Sequence, residues 1–212
     1  MRWYDILRGP VRSPTRFRNN GPVNTRGLAI VALLASGIVP ALQAAGEGQG
    51  PFDTQVTSIQ FAGTMLVEAW DKNGSSETLG GGTITLGRAF RGHSMAMLEA
   101  IFLRVSEDGL PDPYLAGFSL VLRRRVYEAG PASVFVEGGP GISFADAPTP
   151  AGGTRVNYLI QTGFGTMVQV SPGAHVVLGA RYLHVSNNSL AGRNRNPDIQ
   201  TVGGYLGVIL RY

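Results

Sequence analysis

Two side chains with the capacity for hydrolytic chemistry, His184 and Ser186, stand two residues apart near the end of the sequence. A serine hydroxyl becomes a nucleophile when a neighbouring imidazole takes its proton, as in hydrolytic triads. Side chains two positions apart on a β-strand point to the same face. On a strand, the two are therefore neighbours and predict a serine hydrolase. The alternative is a pair of ordinary polar residues at the rim of a sheet.

The residues around this pair alternate with a period of two, which is the pattern of β-strands. The even positions of residues 156–170 are apolar, aromatic or threonine: Val156, Tyr158, Ile160, Thr162, Phe164, Thr166, Val168 and Val170. The odd positions between them are mostly polar or small. Residues 114–127, 174–186 and 200–212 repeat the alternation. Runs of this length suit a membrane crossing with the apolar face outside.

Eight such strands are predicted, with tight and longer polar connections between them. They lie at about residues 54–70, 78–91, 93–106, 113–128, 132–145, 154–171, 173–187 and 199–212. The even number and the alternation predict an all-β fold, an eight-stranded antiparallel transmembrane β-barrel of the outer-membrane type. A soluble sandwich is the alternative, but it does not need so wide an apolar band opposite a face with Arg and Gln. Eight strands leave an interior filled by side chains, so we do not expect a pore.

Positive charge is concentrated at the N-terminus. Residues 1–45 hold six arginines and one aspartate, whereas the whole chain has a net charge of +4, so the remainder carries about −1. A body without basic bias argues against a nucleic-acid partner. The apolar run from residue 28 to residue 42 ends in small residues, which predicts a signal peptide over 1–45 and a barrel domain over 46–212. A membrane anchor is the alternative, and Ser36, Pro40 and Gln43 argue against it.

The direction of the predicted strands determines where the candidate pair lies in the membrane. If the barrel starts in the periplasm, the seventh strand runs outward, so His184 and Ser186 face lipid near the outer leaflet. The same face carries Tyr182, Ala180 and Leu178, which we expect to line a lipid-facing groove. An ester in a membrane lipid would reach the pair laterally.

Other candidate sites are weaker. The absence of cysteine excludes disulfides, cysteine-ligated zinc and a thiol nucleophile. The glycine run 80–82 is not followed by Lys-Ser or Lys-Thr and is not a phosphate loop. His93 and His175 have no second ligand at metal spacing, so we interpret both as solvated turn residues and expect no metal or cofactor. The run Arg123-Arg124-Arg125 is predicted to anchor the barrel at the periplasmic interface.

The sequence resembles the lipid A 3-O-deacylase (PagL) family, over roughly residues 78–212. The likeness is carried by Gly-Ala-Arg-Tyr-Leu-His-Val-Ser-Asn at 179–187 and by Asn-Pro-Asp-Ile at 196–199. It implies an outer-membrane barrel that removes the ester-linked 3-position acyl chain of lipid A. The implied partners are lipopolysaccharide and outer-membrane lipid, with a homodimer left open. It also implies Ser186 as nucleophile, His184 as base, and Asn187 and Asn196 as oxyanion or substrate-positioning residues.

The acid of the family motif, a downstream glutamate, is missing. Alignment on the Asn-x-x-Ile pattern puts Gln200 at that position, whereas counting from His184 without a gap puts Asp198 there. A carboxylate would orient the imidazole and stabilise its protonated form. A glutamine carbonyl can orient the ring with less electrostatic stabilisation. The match of Asn196 and Ile199 favours Gln200.

The sequence therefore predicts an outer-membrane esterase that acts on lipid A. The alternative is a catalytically inactive barrel with a structural or interaction role.

Overall fold

The structure, a computed structural model, describes residues 52, 56–70, 76–91, 93–107, 112–192 and 196–212. The predicted signal peptide, residues 1–45, lies outside these ranges. Within them, no helix is long and apolar enough to cross a membrane.

Eight antiparallel strands form a closed barrel in which each strand pairs with its neighbours along the chain. They are β1 (Thr57–Glu68), β2 (Glu77–Phe90), β3 (Ser94–Glu107), β4 (Tyr114–Ala129), β5 (Ala132–Thr149), β6 (Thr154–Ser171), β7 (Ala174–Ser186) and β8 (Ile199–Arg211). Pairing of β1 with β8 closes the ring. A closed ring satisfies the backbone of every strand, which hydrocarbon surroundings require. The predicted fold class is confirmed.

The connections differ between the two ends of the barrel. At one end, three, two and two residues separate β2 from β3, β4 from β5 and β6 from β7; at the other end, the four separations are eight, six, four and twelve residues. Gly130 and Gly173 have positive φ values, 55° and 83°, which these tight turns require and glycine adopts without strain. Short turns belong to the periplasmic end of such barrels. Strand β7 therefore runs outward and ends at the outer rim.

The two faces of the wall separate as the alternation predicts. Val156, Phe164 and Val168 lie on the outside, and Phe164 is 62% exposed, whereas the odd-numbered Asn157, Leu159 and Gln161 face the interior. The prediction for the even positions of 156–170 is confirmed. The barrel therefore presents an apolar band to lipid.

The interior is filled by side chains in layers. An apolar cluster that includes Leu66, Leu103 and Leu183 lies toward the outer end, and a second cluster that includes Phe135 and Met167 lies toward the periplasmic end. Between them lies a central charge layer, made of Glu99, Arg123, Glu137, Arg181 and Tyr205, all buried.

Hydrogen bonds connect every member of the central charge layer. Arg123 donates to Glu137 Oε2 from Nε and Nη2, at 2.9 and 2.7 Å. Arg181 donates to both oxygens of Glu99, at 3.0 and 2.9 Å, and to Glu137 Oε1 at 3.3 Å. Tyr205 Oη donates to Glu137 Oε1 at 2.8 Å. Paired opposite charges make burial of these groups tolerable in the barrel interior.

Two sequence interpretations are corrected by strand parity. Arg123 is 1% exposed and points into the barrel, so it is not an interfacial anchor; Arg124 points outward. His175 is buried rather than solvated, because it is the second residue of β7 and occupies an inward position. His93 is exposed in its turn, with Nδ1 3.0 Å from Arg125 Nη2. Alternation fixes the direction of a side chain even next to a turn.

Candidate active site

The ladders on both sides of β7 hold the outer end of that strand in place. His184 lies opposite Ile160 of β6 and Gln200 of β8, and Ser186 lies opposite Tyr158 of β6. Even positions of β7 face outward. Ser186 is nevertheless only 6% exposed, because neighbouring side chains cover it. The pair is therefore fixed on the membrane-facing wall at the outer rim.

His184 Nε2 and Ser186 Oγ are 2.9 Å apart. This separation is within the reach of a general base that takes a proton from a hydroxyl. When the imidazole carries its proton on Nδ1, the serine hydroxyl donates to Nε2. That arrangement can activate Ser186 for attack on an ester carbonyl.

Asp198 faces the other ring nitrogen, with Oδ2 3.8 Å from Nδ1 of His184. This distance is within ion-pair range but longer than a hydrogen bond. Catalytic contacts in structures without substrate are often long and tighten in the reacting complex. A carboxylate at this place can stabilise the imidazolium that forms when His184 takes the serine proton.

Gln200 contacts the carboxylate rather than the imidazole. Its Nε2 donates to Asp198 Oδ2 at 2.8 Å, and its Oε1 accepts from Tyr182 Oη at 3.2 Å. Both amide atoms of Gln200 are thus engaged away from His184. Of the two residues proposed from the sequence for the position of the acid, Asp198 lies beside Nδ1, and Gln200 donates a hydrogen bond to its carboxylate.

The two asparagines lie together directly after β7. The backbone N–H of Asn187 donates to Asn196 Oδ1 at 2.9 Å, and Asn187 Nδ2 donates to Thr154 Oγ1 at 3.1 Å. Asn196 Nδ2 is 3.4 Å from the Oγ of Ser189, to which it donates. Their contacts tie the loop after β7 to β6 and to the segment before β8. An oxyanion role would require one of these donors to exchange its partner for the substrate.

Trp70 borders the candidate site, although it is not among the residues predicted from the sequence. Its ring stacks on that of Tyr182, with centroids 6.0 Å apart and an interplanar angle of 19°. The adjacent Ala69 donates its N–H to Gln200 O at 2.7 Å, which continues the pairing of β1 with β8 up to Trp70. A tryptophan two residues after a strand, at the outer rim, was the available signal, because aromatic residues concentrate at membrane interfaces.

Below Tyr182, the residues that are predicted to line a groove continue toward the middle of the membrane. Ala180 lies opposite Phe164 on one side and Gly204 on the other, and Leu178 follows on the same face. Phe164 is much larger than Ala180 and Gly204, so β7 and β8 carry little side-chain volume at this point. An apolar chain lying along β7 would contact these residues below the His184–Ser186 pair.

The comparisons with known proteins agree with this architecture. Residues 54–208 match the sequence model of the family described as lipid A 3-O-deacylase (PagL). No curated protein matches the sequence. The crystal structure of the outer membrane enzyme PagL is similar, with 14% identity, a TM-score of 0.52 and coverage of 71% of this chain and 97% of that chain.

The crystal structure of Neisserial surface protein A is similar to the same degree. It has 13% identity and a TM-score of 0.53, and the match covers 74% of this chain and 96% of that chain. At these identities the structures establish the fold, an outer-membrane barrel. The match to the family model extends over most of the sequence. The chain therefore belongs to the lipid A 3-O-deacylase (PagL) family and is a barrel of the outer membrane.

Proposed function

We propose that this protein is an outer-membrane esterase that removes the ester-linked 3-position acyl chain of lipid A. The observation that carries the proposal is the 2.9 Å separation between His184 Nε2 and Ser186 Oγ on the membrane-facing wall. Membership of the deacylase family supports the substrate class. A pair at the outer rim meets lipid A in the leaflet where it resides, and no extraction of the lipid is needed.

The proposed reaction begins when Ser186 Oγ attacks the ester carbonyl and His184 Nε2 accepts the serine proton. The tetrahedral intermediate collapses as His184 returns the proton to the departing sugar oxygen, leaving the acyl group on Ser186. Water, activated by the same imidazole, then releases the fatty acid and restores the serine hydroxyl. No cofactor takes part in these steps.

Asp198 is proposed as the acid that supports His184, in place of the glutamate of the family motif. Its support is the 3.8 Å approach to Nδ1 and the hydrogen bond from Gln200 that fixes the carboxylate. Gln200 is then a positioning residue, and the Tyr182 hydroxyl fixes its orientation in turn. Aspartate is one methylene shorter than glutamate, which is consistent with the long contact to the imidazole.

The acyl chain is proposed to lie along β7, past Tyr182 and over Ala180 and Leu178. The stacked rings of Trp70 and Tyr182 stand beside the serine at the level where aromatic residues meet lipid headgroups. Asn187 and Asn196 are proposed to provide hydrogen-bond donors near the ester oxygen. The donors would be their side-chain amides or the backbone N–H groups of the segments that they hold in place.

A second candidate function is a catalytically inactive structural or interaction barrel. The observation that favours it is the 3.8 Å gap between Asp198 and His184, which is too long for a hydrogen bond. This candidate predicts a folded wild-type barrel without turnover.

The test is deacylation of purified lipopolysaccharide by the wild type, Ser186→Ala and Ser171→Ala proteins in detergent. Ser171 is an exposed serine at the periplasmic end of β6 and serves as the matched control. We expect Ser186→Ala to lose deacylation, since only weak catalysis remains without the nucleophile of a triad. Full activity of folded Ser186→Ala would refute the proposal, and an inactive folded wild type would support the second candidate.

A further inference from the structure

Two arginines on β2 and β4 point toward lipid near the periplasmic end of the barrel. Arg88 and Arg124 occupy outward positions of their strands, and both are exposed. Arg91, in the turn between β2 and β3, is exposed at the same end. These strands lie across the barrel from β7, so the arrangement is separate from the candidate active site.

The register puts the two arginines on opposite sides of β3, offset from each other by two residues along that strand. Arg88 pairs with Ala96, and Arg124 pairs with Ser94. Each neighbouring strand adds about 4.8 Å, so β2 and β4 are roughly 10 Å apart. The outward residues of β3 at these two positions, Ala96 and Ser94, are small, so β3 places no bulky side chain between the two arginines.

The described part of the barrel offers these arginines no opposite charge. Among the residues that the structure describes, Arg88, Arg91 and Arg124 have no ion pair and no side-chain hydrogen bond. By contrast, the nearby Arg125 binds Glu128 at 2.8 Å. Arginine carries its full charge at every physiological pH, and near a membrane it extends toward headgroup phosphates.

The residues next to these positions, on the membrane side, are apolar. Leu86, Leu98 and Leu120 lie side by side on β2, β3 and β4, and their exposed fractions on the outer face are 46%, 47% and 66%. A lipid whose phosphate sits between the arginines would lay its acyl chains over these leucines. Polar and apolar parts of one ligand are therefore matched by adjacent parts of the wall.

We propose that Arg88 and Arg124, with the Ser94 hydroxyl between them, bind the phosphate of an anionic phospholipid in the periplasmic leaflet. Guanidinium groups bind phosphate oxygens through paired, charge-assisted hydrogen bonds, and two of them on one phosphate compensate its charge. Arg91 adds positive potential at the headgroup level. The proposal does not depend on whether Ser186 is active.

The experiment is native mass spectrometry of the detergent-purified barrel, mixed with phosphatidylglycerol or with phosphatidylcholine of the same chains. The wild type is expected to retain phosphatidylglycerol in preference to phosphatidylcholine. Arg88→Gln/Arg124→Gln is expected to retain about tenfold less phosphatidylglycerol, and Ser94→Ala a few-fold less. The matched control is Arg104→Gln, an outward arginine at the opposite end of β3, which is expected to behave as the wild type.

Folding of each variant is checked by its heat-dependent migration in gels. If the glutamine variant fails to fold, Arg88→Lys/Arg124→Lys, which keeps both charges, is measured in its place. Because lysine lacks the forked geometry, the lysine variant is expected to lose part of the binding. Equal retention of the two lipids by the wild type would overturn the proposal. So would undiminished retention of phosphatidylglycerol by the folded glutamine variant, or by the lysine variant if the glutamine variant does not fold.

Discussion

At the scale of single residues, the unusual feature of this protein is the partner of its histidine. The sequence resemblance implies a glutamate, and the chain instead presents an aspartate that a glutamine holds at 2.8 Å. The shorter acid approaches His184 Nδ1 only to 3.8 Å. Two side chains, Asp198 and Gln200, thus take the place of one, and their separate roles can be tested by substitution.

Replacement of Asp198 by asparagine should lower kcat by about 10²–10⁴-fold, because the imidazolium would lose its nearby negative charge. KM should change little, since Asp198 is not proposed to bind substrate. Steady-state kinetics on purified lipopolysaccharide measure both quantities. Asp112→Asn is the control, as Asp112 pairs with Arg104 on the far side of the barrel. An unchanged kcat in Asp198→Asn would remove this residue from the mechanism.

Replacement of Gln200 by glutamate distinguishes the two placements of the acid. If Asp198 is the acid, the change removes the amide that donates to its carboxylate and puts a second negative charge beside it, so kcat should fall about tenfold or more. If Gln200 were the direct partner of His184, the new carboxylate would raise kcat. The same kinetic assay decides between them, and Gln200→Ala controls for the loss of the amide alone.

At the scale of secondary-structure elements, the alternation of residue types made the strands predictable. The predicted and observed strands agree to within four residues at each end. The largest difference is at the end of β5, which was predicted at residue 145 and lies at Thr149. A bulge between Phe144 and Thr149 carries the strand to Thr149 instead, and bulges are where strands accommodate proline.

The loop after β7 was not predictable in the same way. The spacing of His184 and Ser186 follows from the strand, but the bonds of Asn187 to Asn196 and Thr154 depend on how the loop closes. Asn188 and Ser189 adopt positive φ values of 52° and 60°, which no periodic pattern indicates. The partnership of Gln200 with the acid likewise arises from this closure. The sequence therefore indicated the members of the site without their contacts.

Loosening this loop should reduce catalysis without unfolding the barrel. Asn196→Ala removes the acceptor of the Asn187 N–H, next to Ser186 and two residues before Asp198. We expect kcat to fall about tenfold, since a small misplacement of catalytic groups is costly. Kinetics and a heat-modifiability gel measure activity and folding. Leu190→Ala, an exposed change in the same loop, should leave kcat unaltered; equal losses in both variants would contradict this account.

At the scale of the whole molecule, the barrel separates its stability from its proposed chemistry. The central charge layer lies inside the wall, whereas His184 and Ser186 lie on its outer surface. Strand parity decides which polar side chains point into the barrel and which point outward. Parity alone would therefore have assigned Arg123 and His175 to the interior. Proximity to a turn was a poorer indicator of the exposure of these two side chains.

Glu137→Gln tests this separation. The change leaves Arg123 and Arg181 with less compensating charge in the buried layer, and breaking a buried ion pair costs about 3–5 kcal/mol. Urea unfolding in detergent should show that loss of stability, while kcat of the folded fraction stays near the wild-type value. Glu128→Gln, at an exposed pair, should change stability by about 0.5 kcal/mol or less. A large loss of kcat in folded Glu137→Gln would link the interior to the site.

The central claim is that Ser186 is the nucleophile of a lipid A esterase, and the most direct measurement is mass spectrometry of lipid A from cells that produce the barrel. In a host without its own deacylase, the wild type is predicted to yield lipid A lighter by one 3-position acyl chain. Cells with equal amounts of folded Ser186→Ala are predicted to yield unmodified lipid A. The same loss of an acyl chain in both, or in neither, would contradict the account.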